Sequence, residues 1–205
     1  MRCHSRRSSI LPTKRKFSVR FNDHSKLVPP GAHAFLSASN YHWINYELDK
    51  LKYVYEQSQA ARKGIELHDF AKRAIQLRIK LPDLPLTMNM YVNDAIGYGM
   101  VPEQLLYYTE NCFGTADTIG FRNNTLRIHD YKSGLHKASE KQLYVYAAYF
   151  CLEYGFKPHD IKIELRIYQN DQVFEYIAEP DFVWYIMKKA EEFDRYIKEL
   201  KQWEN

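Results

Sequence analysis

Cysteine is scarce in this chain: Cys3, Cys112 and Cys151 lie far apart, with no C-x-x-C spacing. An odd, sparse set excludes a disulfide framework and a four-cysteine zinc or iron–sulfur cluster, and it points to a reducing compartment. No apolar run is long enough to cross a bilayer, so no membrane partner is expected. No G-x-x-x-x-G-K-[ST] loop occurs, so any ATP-driven step must come from another polypeptide. There is no internal repeat. Acids are also missing at the start, where Asp23 is the first and seven basic residues precede it (Arg2, Arg6, Arg7, Lys14, Arg15, Lys16, Arg20).

That acid-free, Ser- and Arg-rich stretch has no apolar core for a secretory signal. It reads as a disordered basic arm over residues 1–30 that contacts phosphates, with an organellar transit peptide as the alternative. Pro29, Pro30 and Gly31 then break the chain, and residues 31–205 read as a single domain. Hydrophobic content of 45% and aromatic content of 15% suit a packed core and exclude a wholly disordered chain. A formal net charge of +4 suits an anionic partner.

Residues 32–86 carry helical patterning. Ser37 or Ser39 can cap a helix holding Tyr41, Trp43, Ile44 and Leu48. A second helical pattern over 51–79 places Phe70, Ala71, Ala74 and Ile75 on one stripe. Gly64 and His68, four apart, share a face, and the small glycine lets another segment approach where His68 projects. By itself His68 reads more readily as a core or boundary residue than as a functional one. A short helix over 87–98 and a strand over 101–109 follow, with Glu103 read as structural. Ser139-x-x-Gln142 forms a capping box for a helix over 140–154 that Gly155 closes. Strands over 161–167 and 173–177 precede a last helix over 180–203, with Phe182, Ile186, Ala190, Phe193 and Ile197 inward.

The most informative stretch is residues 113–132, F-G-T-A-D-T-I-G-F-R-N-N-T-L-R-I-H-D-Y-K. Alternating apolar residues flank Asn123 and Asn124, which tolerate the positive φ of a two-residue hairpin turn. With that turn, Arg122 faces Thr125 and Asp117 faces Asp130, their Cβ atoms roughly 4.5–5.5 Å apart. Lys132 follows on the face of Asp130. Like charges set opposite each other destabilise a sheet, and a hard cation between them would remove the repulsion. The plainer alternative is an exposed hairpin on which Lys132 and Asp130 form a surface ion pair.

Four pieces occur in one order: G-x-x-x-H (Gly64, His68), G-x-A-D (Gly114, Ala116, Asp117), D-x-K (Asp130, Lys132) and Q-x-x-x-Y (Gln142, Tyr146). Together they resemble the PD-(D/E)XK nuclease superfamily and, within it, the RecB-type branch with its phage exonucleases. The opening L-S-A-S-x-x-x-W, residues 36–43, is similar to the helical entry of that branch. The resemblance implies an α/β (α+β) fold with a restriction-endonuclease-like core, a mixed central sheet with a catalytic hairpin flanked by helices. It implies that Asp117 and Asp130 bind Mg²⁺ or Mn²⁺ with the Tyr131 carbonyl and His68, and that Lys132 orients or deprotonates the attacking water. It further implies that Gln142 and Tyr146 hold the DNA backbone or position Lys132; their plainer reading is helix cap and core. Glu66 or Asp69 replaces His68 if the helix register differs.

The function so implied is a metal-dependent deoxyribonuclease, most simply an exonuclease acting on DNA ends or single strands in recombination, repair or phage DNA processing. A structure-selective or nicking endonuclease and a non-catalytic nucleic-acid-binding subunit are the alternatives, and RNA is a third possible target. The implied partners are DNA and a helicase, annealing protein or other replication or recombination protein. The implied compartment is the cytoplasm of a bacterial or phage-infected cell, or the mitochondrion if the basic stretch is a transit peptide.

Overall fold

The computed structural model describes residues 26–27 and 32–203. Apart from 26–27, the basic arm read over 1–30 lies outside them. By its contacts the chain divides into a unit ending at Leu51 and a unit beginning at Lys52. In the first, a 3-10 turn spans Tyr41–Asn45. Ser37 organises its entry: its hydroxyl accepts the Asn40 N–H at 3.3 Å and its carbonyl accepts the Trp43 indole N–H at 2.9 Å. The cap expected of Ser37 therefore serves a short turn, and the long helix α1, Leu48–Gln76, starts only afterwards.

The second unit contains α2 (Thr87–Gly97), β1 (Val101–Thr109), β2 (Cys112–Arg122), β3 (Thr125–Lys132), α3 (Lys141–Tyr154), β4 (Lys162–Gln169), β5 (Gln172–Ile177) and α4 (Pro180–Trp203). The strands form one sheet in the order β1-β2-β3-β4-β5. All pairs are antiparallel except β3 with β4. A parallel pair cannot be closed by a tight turn, and α3 is the crossover that links them.

Period-two alternation divides the core between the two faces of the sheet. Leu126, Ile128, Ile163, Leu165 and Ile167 pack with Leu143, Ala147 and Phe150 of α3 and with Val183 and Met187 of α4. Tyr131 and Tyr168, at alternate positions, pack with Ala71, Ala74 and Ile75 of α1 and with Tyr91, Val92 and Ala95 of α2. The result is a mixed five-stranded sheet flanked by helices. Among the described residues no helix is long and apolar enough to cross a membrane.

The β2–β3 turn is as read from the sequence: Asn123 and Asn124 have φ of 51° and 56°, and Arg122 pairs with Thr125. A second turn of the same kind, Asn170 and Asp171 at 52° and 55°, joins β4 to β5. Gly155 closes α3 at φ 72°, which spares a side chain the left-handed strain.

Three expectations shift. The helix preceding Gly155 has no side-chain cap bond, because Ser139 Oγ accepts the Lys141 N–H instead and Gln142 turns to other partners. Phe70 is exposed, and Leu67 packs beside Ala71, Ala74 and Ile75 in its place. On α4 Val183, Met187 and Asp194 are buried and Ile186 packs half-buried against the core as expected, while Phe182, Phe193 and Ile197 are exposed.

Candidate active site

The hairpin delivers its acids to the end where β2 and β3 part. Their hydrogen-bonded ladder keeps the predicted register down to Thr118–His129 and ends there, one pair short of Asp117 and Asp130. Asp117 turns its carboxylate to the next peptide, and Oδ2 accepts the Tyr131 N–H at 3.0 Å. The same oxygen lies 3.6 Å from His68 Nδ1 on α1. That is beyond a good hydrogen bond but close enough for a shared ligand or for attraction once the ring is protonated. Glu66 and Asp69, the alternatives on this helix, are exposed, so His68 is the α1 side chain that reaches the hairpin.

Asp130 is 2% exposed. Burial, reinforced by the negative charge of Asp117, pushes its carboxyl up to about 6; Lys132 and His68 act in the opposite direction. Lys132 Nζ stands 3.0 Å from both oxygens of Asp130 and donates to Oδ1. Oδ2 is left buried without a hydrogen-bond partner among the described residues. A buried carboxylate oxygen held by an ion pair alone, next to a second acid, is the kind of donor that a divalent cation binds.

From Lys132 the contacts run on to α3. Gln142 Oε1 is 3.5 Å from Lys132 Nζ, at the limit of a hydrogen bond, and Gln142 Nε2 donates to the Tyr146 hydroxyl at 2.8 Å. Gly114 makes room for this pair: a Cβ there would sit 3.0 Å from the Tyr146 ring. Burial raises the Tyr146 phenol above its ordinary value. Gly64 does similar service, since a Cβ on it would stand 3.2 Å from Ser133 Oγ, just past Lys132. The Tyr131 side chain is core, edge-on to His68 at 5.3 Å between centroids, so this residue meets the acids through its backbone. A cleft of about 630 Å³ opens beside Lys132, between Lys63 and Leu67 of α1 and Asn170 of the β4–β5 turn.

The segment joining Lys132 to α3 is held from below by Gln169, which pairs with Lys132 across β3 and β4. Its buried amide donates to the carbonyls of Gly134 and His136 and accepts the Ala138 N–H at 3.0 Å. Neither Gln169 nor Glu103 belongs to the set read from the sequence as a site. Glu103 lies half-buried beside Asp117. One ligand atom from each of His68, Glu103 and Asp117 falls within 4.8 Å of the others.

Strict alternation fails at this point of the sheet. Ala116 and Ile119, three apart, both enter the α3–α4 core, so the chain changes face between them, around Asp117. On the β1 side, Pro102–Thr118 and Gln104–Ala116 are paired while Glu103–Asp117 between them is skipped. The structure thus brings together Asp130, Lys132, Gln142 and Tyr146 in one contact chain, and Asp117, His68 and the Tyr131 backbone in another. A scan of protein-family models and searches of curated proteins and of solved structures give no match to this chain.

Proposed function

We propose that this chain is a metal-dependent deoxyribonuclease of the PD-(D/E)XK kind, RecB-type, on a restriction-endonuclease-like core. The observation that carries the reading is Asp130: a buried carboxylate beside Asp117, both of its oxygens 3.0 Å from one lysine ammonium and one of them accepting no hydrogen bond. A purely structural ion pair between Asp130 and Lys132 leaves the second acid, Asp117, without a purpose. Mg²⁺ or Mn²⁺ would be held by Asp117, Asp130, the Tyr131 carbonyl and His68, an oxygen-rich set with one nitrogen. Such a cation supplies charge that polarises a phosphodiester and acidifies a bound water.

The chain's own groups divide the remaining work. Lys132 orients the attacking water and opposes the negative charge that builds on the phosphate oxygens. Gln142, braced by Tyr146, keeps the lysine directed at the acids and offers its amide to the DNA backbone. The cleft beside Lys132 is where the strand would lie, and the resemblance to RecB-type exonucleases favours a single strand or a DNA end as substrate. Unwinding, where needed, falls to a helicase or other recombination partner.

The test is a cleavage assay on end-labelled linear and closed circular DNA, single- and double-stranded, with Mg²⁺, Mn²⁺ or EDTA. Metal-dependent loss of linear DNA with circles spared is expected, with Lys132→Ala slower by about 100-fold or more. Cut circles make the chain an endonuclease. DNA binding that is indifferent to chelator, with no product in any lane, sinks the nuclease reading and leaves a binding subunit.

A further inference from the structure

Six non-glycine residues among those described have positive φ. Four of them, Asn123, Asn124, Asn170 and Asp171, form the two hairpin turns, and Arg78 follows the end of α1. Glu103, at φ 52°, is the only one of the six inside a strand. Asn and Asp tolerate this region through local hydrogen bonding, and glutamate does not share that advantage. Strain of this sort persists where the surroundings impose it, and it gathers at functional sites. Here the strained residue lies at the skipped pair opposite Asp117.

Its carboxylate has no compensating cation. Among the described residues Glu103 makes no hydrogen bond or ion pair, although it is half-buried and faces a second acid. Asp130 Oδ2, on a side chain almost wholly buried, is ion-paired to Lys132 at 3.0 Å but accepts no hydrogen bond, so a single ammonium stands against three acids, Asp117, Asp130 and Glu103, whose charges all reach the Tyr91 phenol. A ligand distance of about 2.1–2.4 Å puts donor atoms roughly 3–5 Å apart around one ion. The 3.6 Å between His68 Nδ1 and Asp117 Oδ2 and the 4.8 Å limit on the trio fall in that span.

We propose that Glu103 is a further cation ligand, joining His68 and Asp117 of the set named above on a divalent-ion site that binds Mn²⁺ more tightly than Mg²⁺. The imidazole nitrogen sets the preference, because Mg²⁺ favours an all-oxygen shell and keeps its waters. The strained backbone is what turns the Glu103 carboxylate toward Asp117; a relaxed strand residue would alternate to one face or the other. In purpose the site rests on the metal-dependent reading above, but its existence does not depend on cleavage.

The full chain, stripped with EDTA and without DNA, is titrated with Mn²⁺ and with Mg²⁺ by calorimetry, beside thermal melting with and without each ion. The wild type is expected to bind Mn²⁺ at least tenfold more tightly than Mg²⁺, and Glu103→Gln and His68→Ala each to lose at least tenfold in Mn²⁺ affinity. Glu103→Gly separates ligand from scaffold. Glycine relieves the positive φ, so the metal-free protein should melt several degrees higher while its Mn²⁺-induced shift shrinks. Unchanged Mn²⁺ affinity in Glu103→Gln, or a lower metal-free melting temperature in Glu103→Gly with the Mn²⁺ shift intact, overturns the assignment. Wild-type DNA cleavage alongside either result leaves the nuclease reading standing. Loss of Mn²⁺ binding in Glu103→Gln by a wild type that cuts no DNA keeps the site and removes that reading.

Discussion

His129 and Asp130 are consecutive on β3, leave opposite faces of the sheet, and respond to burial in opposite ways. His129 is fully buried against Tyr168 and Tyr98, and burial with the nearby Arg166 and Arg127 pushes its imidazole down to about 3. Asp130 is pushed up to about 6. Between pH 6.5 and 3 the unfolded chain takes up a proton at His129 that the native state refuses, so this residue makes stability rise with pH. Between about 4 and 6 the native state holds a proton at Asp130 that the unfolded chain has released, so this residue makes stability fall as pH rises, and its cost is complete above 6. The two slopes oppose each other over that window. Asp130→Asn deletes one of them. Its stability relative to wild type should grow from pH 4 to pH 7 by up to about 3 kcal/mol, read by urea unfolding in EDTA. A difference independent of pH would show that the carboxylate is not strained by burial. Asp130 and Lys132 were legible in the sequence because two asparagines fix the register and period two does the rest; for Asp117 the same rule holds only as far as Thr118, where the ladder ends and alternation fails. Glu103 was not, since a left-handed residue within a strand leaves no mark on the hydrophobic pattern.

Elements were legible where pattern and punctuation agree, and less so where apolar residues crowd together. All five strands follow from alternation and turn residues. On α4, Phe182, Val183, Trp184, Tyr185, Ile186 and Met187 are consecutive, so the helical phase is underdetermined and the buried stripe lies one residue from the expected one. The loop between Lys132 and α3 gave no signal for its anchor, because Gln169 reaches it from 30 or more residues away. That anchor sets how β3 presents Lys132 to Gln142. Gln169→Leu keeps the volume but abandons two carbonyls and one N–H, at a cost of about 3 kcal/mol. Hydrogen exchange should show the Ala138 amide losing its protection while the β3–β4 amides keep theirs. Protection retained at Ala138 would mean the loop is held by something other than this amide.

At the scale of the whole molecule, charge is divided unevenly along the chain. Eight of the 29 Lys and Arg residues and one of the 25 Asp and Glu residues precede residue 31, which leaves 21 bases against 24 acids in the remainder. The first thirty residues therefore carry +7 and the remainder −3, which together make the net +4. If the proposed function holds, a polyanion meets a site built on acids, within a part of the chain that is itself net negative, so long-range attraction would have to come from the basic stretch. Each cation that contacts a phosphate of a single strand adds about 0.7 to the slope of log affinity against log salt. Changing Arg6, Arg7, Lys14, Arg15 and Lys16 together to Gln in the full chain should flatten that slope by up to about 3.5. Affinity should fall most at low salt, and the two proteins should converge as the Debye length shrinks below the size of the arm. On the proposed reading the turnover of bound DNA should be unaffected, because these positions would recruit the strand and the hairpin would act on it. Parallel salt slopes for the two proteins, measured by fluorescence anisotropy on a labelled single strand in EDTA, would remove the arm from DNA binding and return the basic stretch to the targeting reading.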